Sequence, residues 1–175
     1  MKNTEHNAAL WTVTLAATAV LGTLVTACMM PFVAVATIAA TTMDRRQATI
    51  AVLGAWAANQ LLGFGLLGYP LTGYALVWGA ALGGAGLATL PIVARIDDGS
   101  LSRLIVAFVA AFALWEALLF VLALAVGGLE TFTPSIVLKL FANELLWLAV
   151  LVGVHLVATR FAPRVFGNPR LVRLG

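Results

Sequence analysis

Five polar residues lie well inside long apolar stretches of the chain: Asn59, Gln60, Glu116, Asn143 and Glu144. A charged side chain at the middle of a membrane costs about 2.5–3.5 kcal/mol on insertion scales, so Glu116 and Glu144 are expected to face the interior of a helical bundle. One interpretation is hydrogen bonding between helices, for instance a protonated Glu116 against Asn59. The other is a substrate pocket or an ion path. Both remain open at this stage, whereas His155, further along the same apolar stretch as Glu144, is interpreted as structural.

The single cysteine, Cys28, is the sharpest chemical candidate. One cysteine excludes an internal disulfide. Cys28 follows an apolar segment and precedes Pro31, so it is expected at an outward-facing turn, where its thiolate would be a soft ligand for a transition metal. The alternative is a small apolar residue at a helix end. Cleavage as a lipoprotein before Cys28 is disfavoured, because the chain stays apolar beyond it.

Aromatic and sulfur-containing side chains collect at the predicted outer boundary of the membrane. Tyrosine and tryptophan are typical interfacial anchors there. The rival interpretation is an apolar pocket open to the outside and suited to a large flat ligand. The residues concerned, besides Cys28, are Met29, Met30, Phe32, Tyr69, Tyr74, Trp78 and Phe132.

Two glycine motifs have structural rather than nucleotide-binding interpretations. The run 63–68 has the GxGxxG spacing, but no strand precedes it, so dinucleotide binding is rejected. Gly79 and Gly83 form a GxxxG pair that lets helix backbones approach closely, either within the bundle or against another subunit. The sequence contains no ATP-binding loop, catalytic triad or paired metal-ligand motif. Transport would therefore need a gradient, a partner ATPase or passive release.

The elements that position these residues are predicted to be transmembrane helices. Hydrophobic residues make up 62% of the 175 residues and charged residues only 10%, against roughly 45–50% and about 25% in soluble domains. The predicted fold is all-α, a single transmembrane domain over residues 1–175 with six spans, the second one short. Pro31 separates the first two segments, the alternative being one long kinked helix. The predicted segments are 9–27, 32–43, 48–67, 74–94, 101–126 and 135–159.

Basic residues indicate the orientation of the bundle. With six spans, every lysine and arginine except Lys139 falls on one side, the positive-inside pattern. Both termini are therefore predicted to be cytoplasmic, although only Lys2 distinguishes six spans from five. Since these basic residues end apolar runs, they are interpreted as topology signals and no nucleic-acid partner is expected.

Four short runs resemble the BtuM group, the cobalamin-specific S-components of energy-coupling-factor vitamin transporters: CMMPFVA (28–34), RRQA (45–48), WAANQ (56–60) and GFGLLGYP (63–70). The similarity spans residues 10–90, and the remainder is similar only in topology. The resemblance implies a multi-pass protein of the bacterial inner membrane that takes up cobalamin or a related corrinoid. It works with an energising transmembrane subunit and ATPases, or with none, and has no cofactor of its own.

The resemblance also implies that a cysteine ligates the corrinoid cobalt, and Cys28 is the only candidate. Removal of an upper ligand such as cyanide would make Cys28 a catalytic as well as a metal-binding residue. The expected substrate-binding set is Cys28, Met29, Phe32, Asn59, Tyr69, Tyr74, Asn143 and Glu144.

Two other classes remain as alternatives. A structural or assembly subunit of a membrane complex would carry polar residues toward partner proteins. A small exporter or membrane enzyme using Glu116 and Glu144 would need a water-filled path joining the two carboxylates.

Overall fold

A computed structural model describes residues 9–17 and 30–161, and all regular secondary structure within them is helical. Residues 9–17 are helical and are called α1. The remaining helices are α2 (Phe32–Thr42), α3 (Arg45–Gln60), α4 (Gly73–Ile96), α5 (Leu101–Val126) and α6 (Pro134–Phe161). A π-helical turn, Leu61–Leu66, extends α3, and a 3-10 turn, Leu129–Phe132, precedes α6.

Four of these helices are long and apolar enough to cross a membrane: α3 with its π-helical extension (Arg45–Leu66), α4, α5 and α6. Helix α2 is apolar but has only 11 residues. The structure thus confirms the prediction of an all-helical chain with several apolar helices long enough to cross a membrane and a short helix after Pro31. The count of six spans and the cytoplasmic termini stay predictions, since residues 1–8, 18–29 and 162–175 lie outside the described part.

Local signals in the sequence place the helix ends. The side chains of Asp44, Thr72 and Ser100 each accept a hydrogen bond from the backbone N–H three residues later, and so cap α3, α4 and α5. Gly127 ends α5 with a positive φ of 93°, a conformation that favours glycine. The predicted boundaries of the fifth segment coincide with α5, and those of segments two, three, four and six differ from the observed helices by a few residues. The end of the first predicted segment lies outside the described residues.

Helix α2 is the centre of the bundle. Nine of its 11 residues are buried, and it packs against α3, α4, α5 and α6. Helix α1 also reaches it, because Trp11 Nε1 donates a hydrogen bond of 3.0 Å to Thr42 Oγ1. A helix that is apolar all round is either buried in protein or exposed to lipid, and the contacts show that α2 is buried by its neighbours.

The GxxxG pair of α4 packs against α3. Trp56 Nε1 donates a 2.7 Å hydrogen bond to the carbonyl oxygen of Gly79. A Cβ atom at Gly83 would lie 2.7 Å from the Trp56 ring, and one at Gly79 would lie 2.6 Å from Gln60 Oε1. This pair therefore serves packing within the bundle, one of the two roles predicted for it.

The GxGxxG run forms the π-helical turn rather than a phosphate-binding loop. Leu67 N–H donates to the Leu62 carbonyl, five residues back, and Tyr69 N–H donates to the Gly63 carbonyl. The Tyr69 ring lies over Gly63, where a Cβ atom would be 3.0 Å away. The glycines thus allow Tyr69 to fold back onto the end of α3.

Candidate functional site

Glu144 caps the amino terminus of α2 from another helix. Its Oε1 accepts a hydrogen bond of 3.2 Å from the N–H of Val33, and its Oε2 accepts one of 2.8 Å from the N–H of Ala34. Pro31 occupies the N-cap position and offers no side-chain acceptor, so the first amides of α2 need a partner from elsewhere. Glu144, only 2% exposed, is that partner.

This cap lies deep in the membrane. At 1.5 Å per residue, the 11 residues of α2 span about 16 Å, roughly half of the 30 Å hydrocarbon core. Glu144 lies ten residues after Pro134, the first residue of α6, which is a rise of about 15 Å. Many transporters build ion and substrate sites from half-helices that begin near the bilayer midplane. Here a carboxylate of the same chain occupies that position.

Glu116 on α5 is the second carboxyl group at this depth, ten residues before Val126, the last residue of α5. Glu116 is half-buried, and its Oε1 is buried without a hydrogen-bond partner. The expected hydrogen bond to Asn59 is therefore not made by this atom. Asn59 itself is half-buried near the end of α3. Of the two glutamates predicted to face the interior, Glu144 is fully inside and Glu116 partly so.

The neighbours of Glu144 along α6 differ in exposure. Asn143 is buried, whereas Lys139, four residues earlier, is exposed. His155, near the other end of α6, is 3% exposed and its ring centroid lies 5.2 Å from that of Trp11. Neither ring nitrogen of His155 has a hydrogen-bond partner. This setting fits the structural interpretation of His155.

An aromatic cluster lies at the end of the bundle where α3 meets α4 and α5 meets α6. The Tyr74 and Trp78 rings are 6.3 Å apart, Trp78 and Phe132 are 6.5 Å apart, and Phe120 and Phe132 are 5.4 Å apart. We call this the aromatic end. Tyr74 Oη also donates a long hydrogen bond of 3.5 Å to the Gly127 carbonyl, which joins the start of α4 to the end of α5.

A shallow cavity of about 380 Å³ opens beside this cluster. It is mostly apolar and presents two phenol rings and an indole to a ligand, with threonine hydroxyls at its border. Ligand pockets typically have volumes of about 300–1,000 Å³ and such a mixture of aromatic walls and few polar groups. The lining residues are Tyr69, Pro70, Thr72, Tyr74, Ala75, Trp78 and Thr131.

The structure separates four of the predicted substrate-binding residues into two places, while Asn59 lies half-buried on α3 and Asn143 lies buried on α6 beside Glu144. Tyr69 and Tyr74 line the aromatic-end cavity. Phe32 and Glu144 lie at the amino terminus of α2 in the core, so Phe32 does not join the aromatic boundary as expected. Cys28 and Met29 lie outside the described residues. The predicted site is thus one aromatic cavity and one buried polar centre.

Sequence reasoning missed two parts of these sites. Thr131 enters the cavity from the loop before α6, and Gly128 approaches the Trp78 ring so closely that a Cβ atom would be 2.9 Å away. The double glycine before Thr131 was a usable signal for such a close approach. The backbone partners of Glu144 were not foreseen either, although a proline N-cap leaves a helix without its own acceptor.

Among the described residues, no group of three or more histidine, cysteine or acidic side chains could hold a metal ion. Comparison with protein-family models, with characterised proteins and with solved structures gives no significant match.

Proposed function

We propose that this chain is the substrate-binding membrane component of an uptake system for cobalamin or a related corrinoid. The observation that carries the proposal is the aromatic cavity lined by Tyr69, Tyr74 and Trp78. It opens at the end of the bundle opposite Arg45, Arg95, Arg103 and Arg160, which by the positive-inside rule is the outer end. Aromatic faces suit a large, flat and partly apolar ring.

The cavity holds part of such a ligand rather than all of it. A volume of about 380 Å³ is at the small end of the range for drug-sized ligands, and a corrinoid is larger. The ring would therefore rest on the aromatic end with one face, while its polar fringe meets the threonine hydroxyls and water. In this arrangement the described helices form the floor of the site.

The second part of the proposal concerns cobalt coordination by Cys28. It lies two residues before Met30, which leads into α2. In our proposal its thiolate coordinates the cobalt of the substrate and displaces an upper ligand such as cyanide. The thiol proton leaves with the displaced cyanide, so no oxidant or reductant is needed. Soft thiolate ligands and coordination-driven deprotonation are general features of metal–cysteine chemistry.

Copurification of a red corrinoid with the detergent-solubilised protein tests this proposal. Trp78→Ala should weaken cobalamin binding, and Val121→Ala, at a 63% exposed position of α5, is the matched control. Cys28→Ser should abolish the absorption change of thiolate ligation while leaving weaker binding through the aromatic end. Binding unaffected by Trp78→Ala, or no binding by the native protein, overturns the proposal.

A small exporter is a second candidate, because Glu116 and Glu144 are carboxyl groups well inside the long apolar helices α5 and α6. Its signature is proton-coupled flux that Glu116→Gln abolishes without affecting cobalamin binding. We rank it second because both Glu144 oxygens already accept backbone hydrogen bonds. Glu144 is therefore engaged in capping α2, and Glu116 would have to relay protons without it.

A further inference from the structure

A groove lies at the end of the bundle that carries most of the described arginines, which we call the basic end. It has a volume of about 610 Å³ and lies where the last turn of α2, the first turn of α3 and the last turns of α4 meet. Its walls are mainly apolar, with an arginine from α3 and another from α4. The lining residues are Ala40, Met43, Arg45, Ala48, Thr49, Leu87, Leu90, Pro91, Ala94 and Arg95.

The two arginines of the groove carry uncompensated charge. Both side chains are exposed, and within residues 9–17 and 30–161 the only ion pair is Arg103–Asp98, at 3.8 Å. The nearest acidic residues in sequence are Asp44 and Asp97. Asp44 accepts a hydrogen bond from Gln47 N–H, and Asp97 accepts one from Gly99 N–H. Neither forms an ion pair with Arg45 or Arg95.

The charge pattern matches one kind of ligand that is always present around a membrane protein. Basic pockets between transmembrane helices at the cytoplasmic boundary bind anionic phospholipid headgroups. Guanidinium groups hold phosphate oxygens through paired hydrogen bonds. An acyl chain would cover the apolar surface that Leu87 and Ala94 otherwise expose.

We propose that this groove binds an anionic phospholipid, with its phosphate between Arg45 and Arg95 and one acyl chain along α4. The lipid fastens the carboxyl end of α4 to the start of α3 and to the end of α2. The site lies at the opposite end of the molecule from the aromatic cavity, so it does not depend on the proposed uptake function.

Native mass spectrometry and thermal unfolding of the full chain test the lipid site. In nanodiscs, phosphatidylglycerol should raise Tm relative to phosphatidylcholine and should stay bound through gentle detergent extraction. The double variant Arg45→Gln/Arg95→Gln should bind phosphatidylglycerol roughly 30-fold more weakly, from two basic residues at about 1 kcal/mol each. Arg103→Gln is the matched control, since Arg103 lies at the same end but outside the groove, and it should retain binding.

A second variant separates the acyl chain from the charge. Ala94→Trp leaves both arginines in place but fills the apolar part of the groove, so it should also release the lipid. Inorganic phosphate at the same concentration should neither raise Tm nor compete. Equal effects of phosphatidylglycerol and phosphatidylcholine, equal loss in Arg103→Gln, or full competition by inorganic phosphate would each overturn the proposal.

Discussion

The half of the bundle at the basic end and the half at the aromatic end differ in how closely their interiors are packed. We call them the basic half and the aromatic half. In the basic half, α2 is a fifth helix surrounded by α3, α4, α5 and α6, with most of its residues fully buried. In the aromatic half, the described residues form no such central helix. There, rings meet at 5.4–6.5 Å, and Tyr69 and Tyr74 remain 45% and 51% exposed.

This difference in packing indicates that the basic half stabilises the fold, whereas the aromatic half gives a ligand access to it. Close packing makes the basic half resistant to rearrangement, whereas few buried contacts and exposed loops are typical of parts that open at low cost. Glu144 marks the boundary, because it caps α2 where the central helix begins. A ligand arriving from the aromatic end would therefore meet adaptable loops first and a fixed core beneath them.

The largest expected effect concerns which end faces the cytoplasm. In a Cys28→Ser background, Glu130→Cys should react with an impermeant maleimide in intact cells, because Glu130 is exposed at the aromatic end. Asp98→Cys, at the basic end, should react only after permeabilisation. The reverse pattern would invert the orientation and remove the basis for an outward-facing aromatic cavity.

Removal of the α2 cap should cost the most stability. Glu144→Leu leaves the amides of Val33 and Ala34 without their acceptor, so we expect the free energy of unfolding to fall by about 2–5 kcal/mol. Glu144→Gln should be milder, since the amide oxygen still accepts. Thermal unfolding in detergent measures both. Leu145→Ala, at an exposed neighbouring position, is the control, and an equal loss there would refute the cap.

Two adjacent glycines of α4 should behave oppositely. Gly83→Ala places a methyl group against the Trp56 ring, which should cost about 1–3 kcal/mol through overpacking. Gly84→Ala meets nothing within 4 Å and should be neutral or stabilising by up to about 1 kcal/mol. The same unfolding assay compares them. Equal effects would show that α3 and α4 are not closely packed here.

The smallest expected effect is a pH dependence at the basic end. Burial raises the pKa of Asp97 above its ordinary value of 3.8, so the folded state holds this proton more tightly than the unfolded state. Its stabilising contribution is present below pH 3.8 and is lost as pH rises through the folded pKa. Asp97→Asn should therefore gain stability relative to the native protein across that window.

Asp98 provides a control of opposite sign. Hydrogen bonds from Ser100 lower the pKa of Asp98, so its contribution is present at higher pH and disappears as pH falls through the folded value. Asp98→Asn should lose stability relative to the native protein as pH rises. The same sign for both variants would contradict the difference between these neighbouring carboxyl groups.

The sequence predicted the helices well because their signals are local. Apolar run length and Pro31 place boundaries without knowledge of the rest of the chain. The polar centre was only half predictable. The cost of burying Glu144 indicated an interior position, but its partners lie 110 and 111 residues away in the chain. No periodicity or motif connects residues so distant.

The aromatic cavity shows the same limit. Tyr69 and Tyr74 were predicted at one boundary, and the structure places both in one cavity. Phe32 was predicted with them because it follows Pro31, yet it lies in the core since α2 begins well below the membrane surface. The depth at which α2 begins depends on the side chain that caps its amino terminus, and that side chain, Glu144, belongs to α6.

The cap on α2 also sets an order of events during synthesis. Val33 and Ala34 leave the ribosome before Glu144 has been made, and at about 5–20 residues per second the delay is roughly 5–20 seconds. For that time the first amides of α2 have no permanent acceptor in a solvent that supplies none. The newly made chain therefore has to keep α2 near water, lipid headgroups or an insertion factor, and assembly of the core finishes only after α6 has been made.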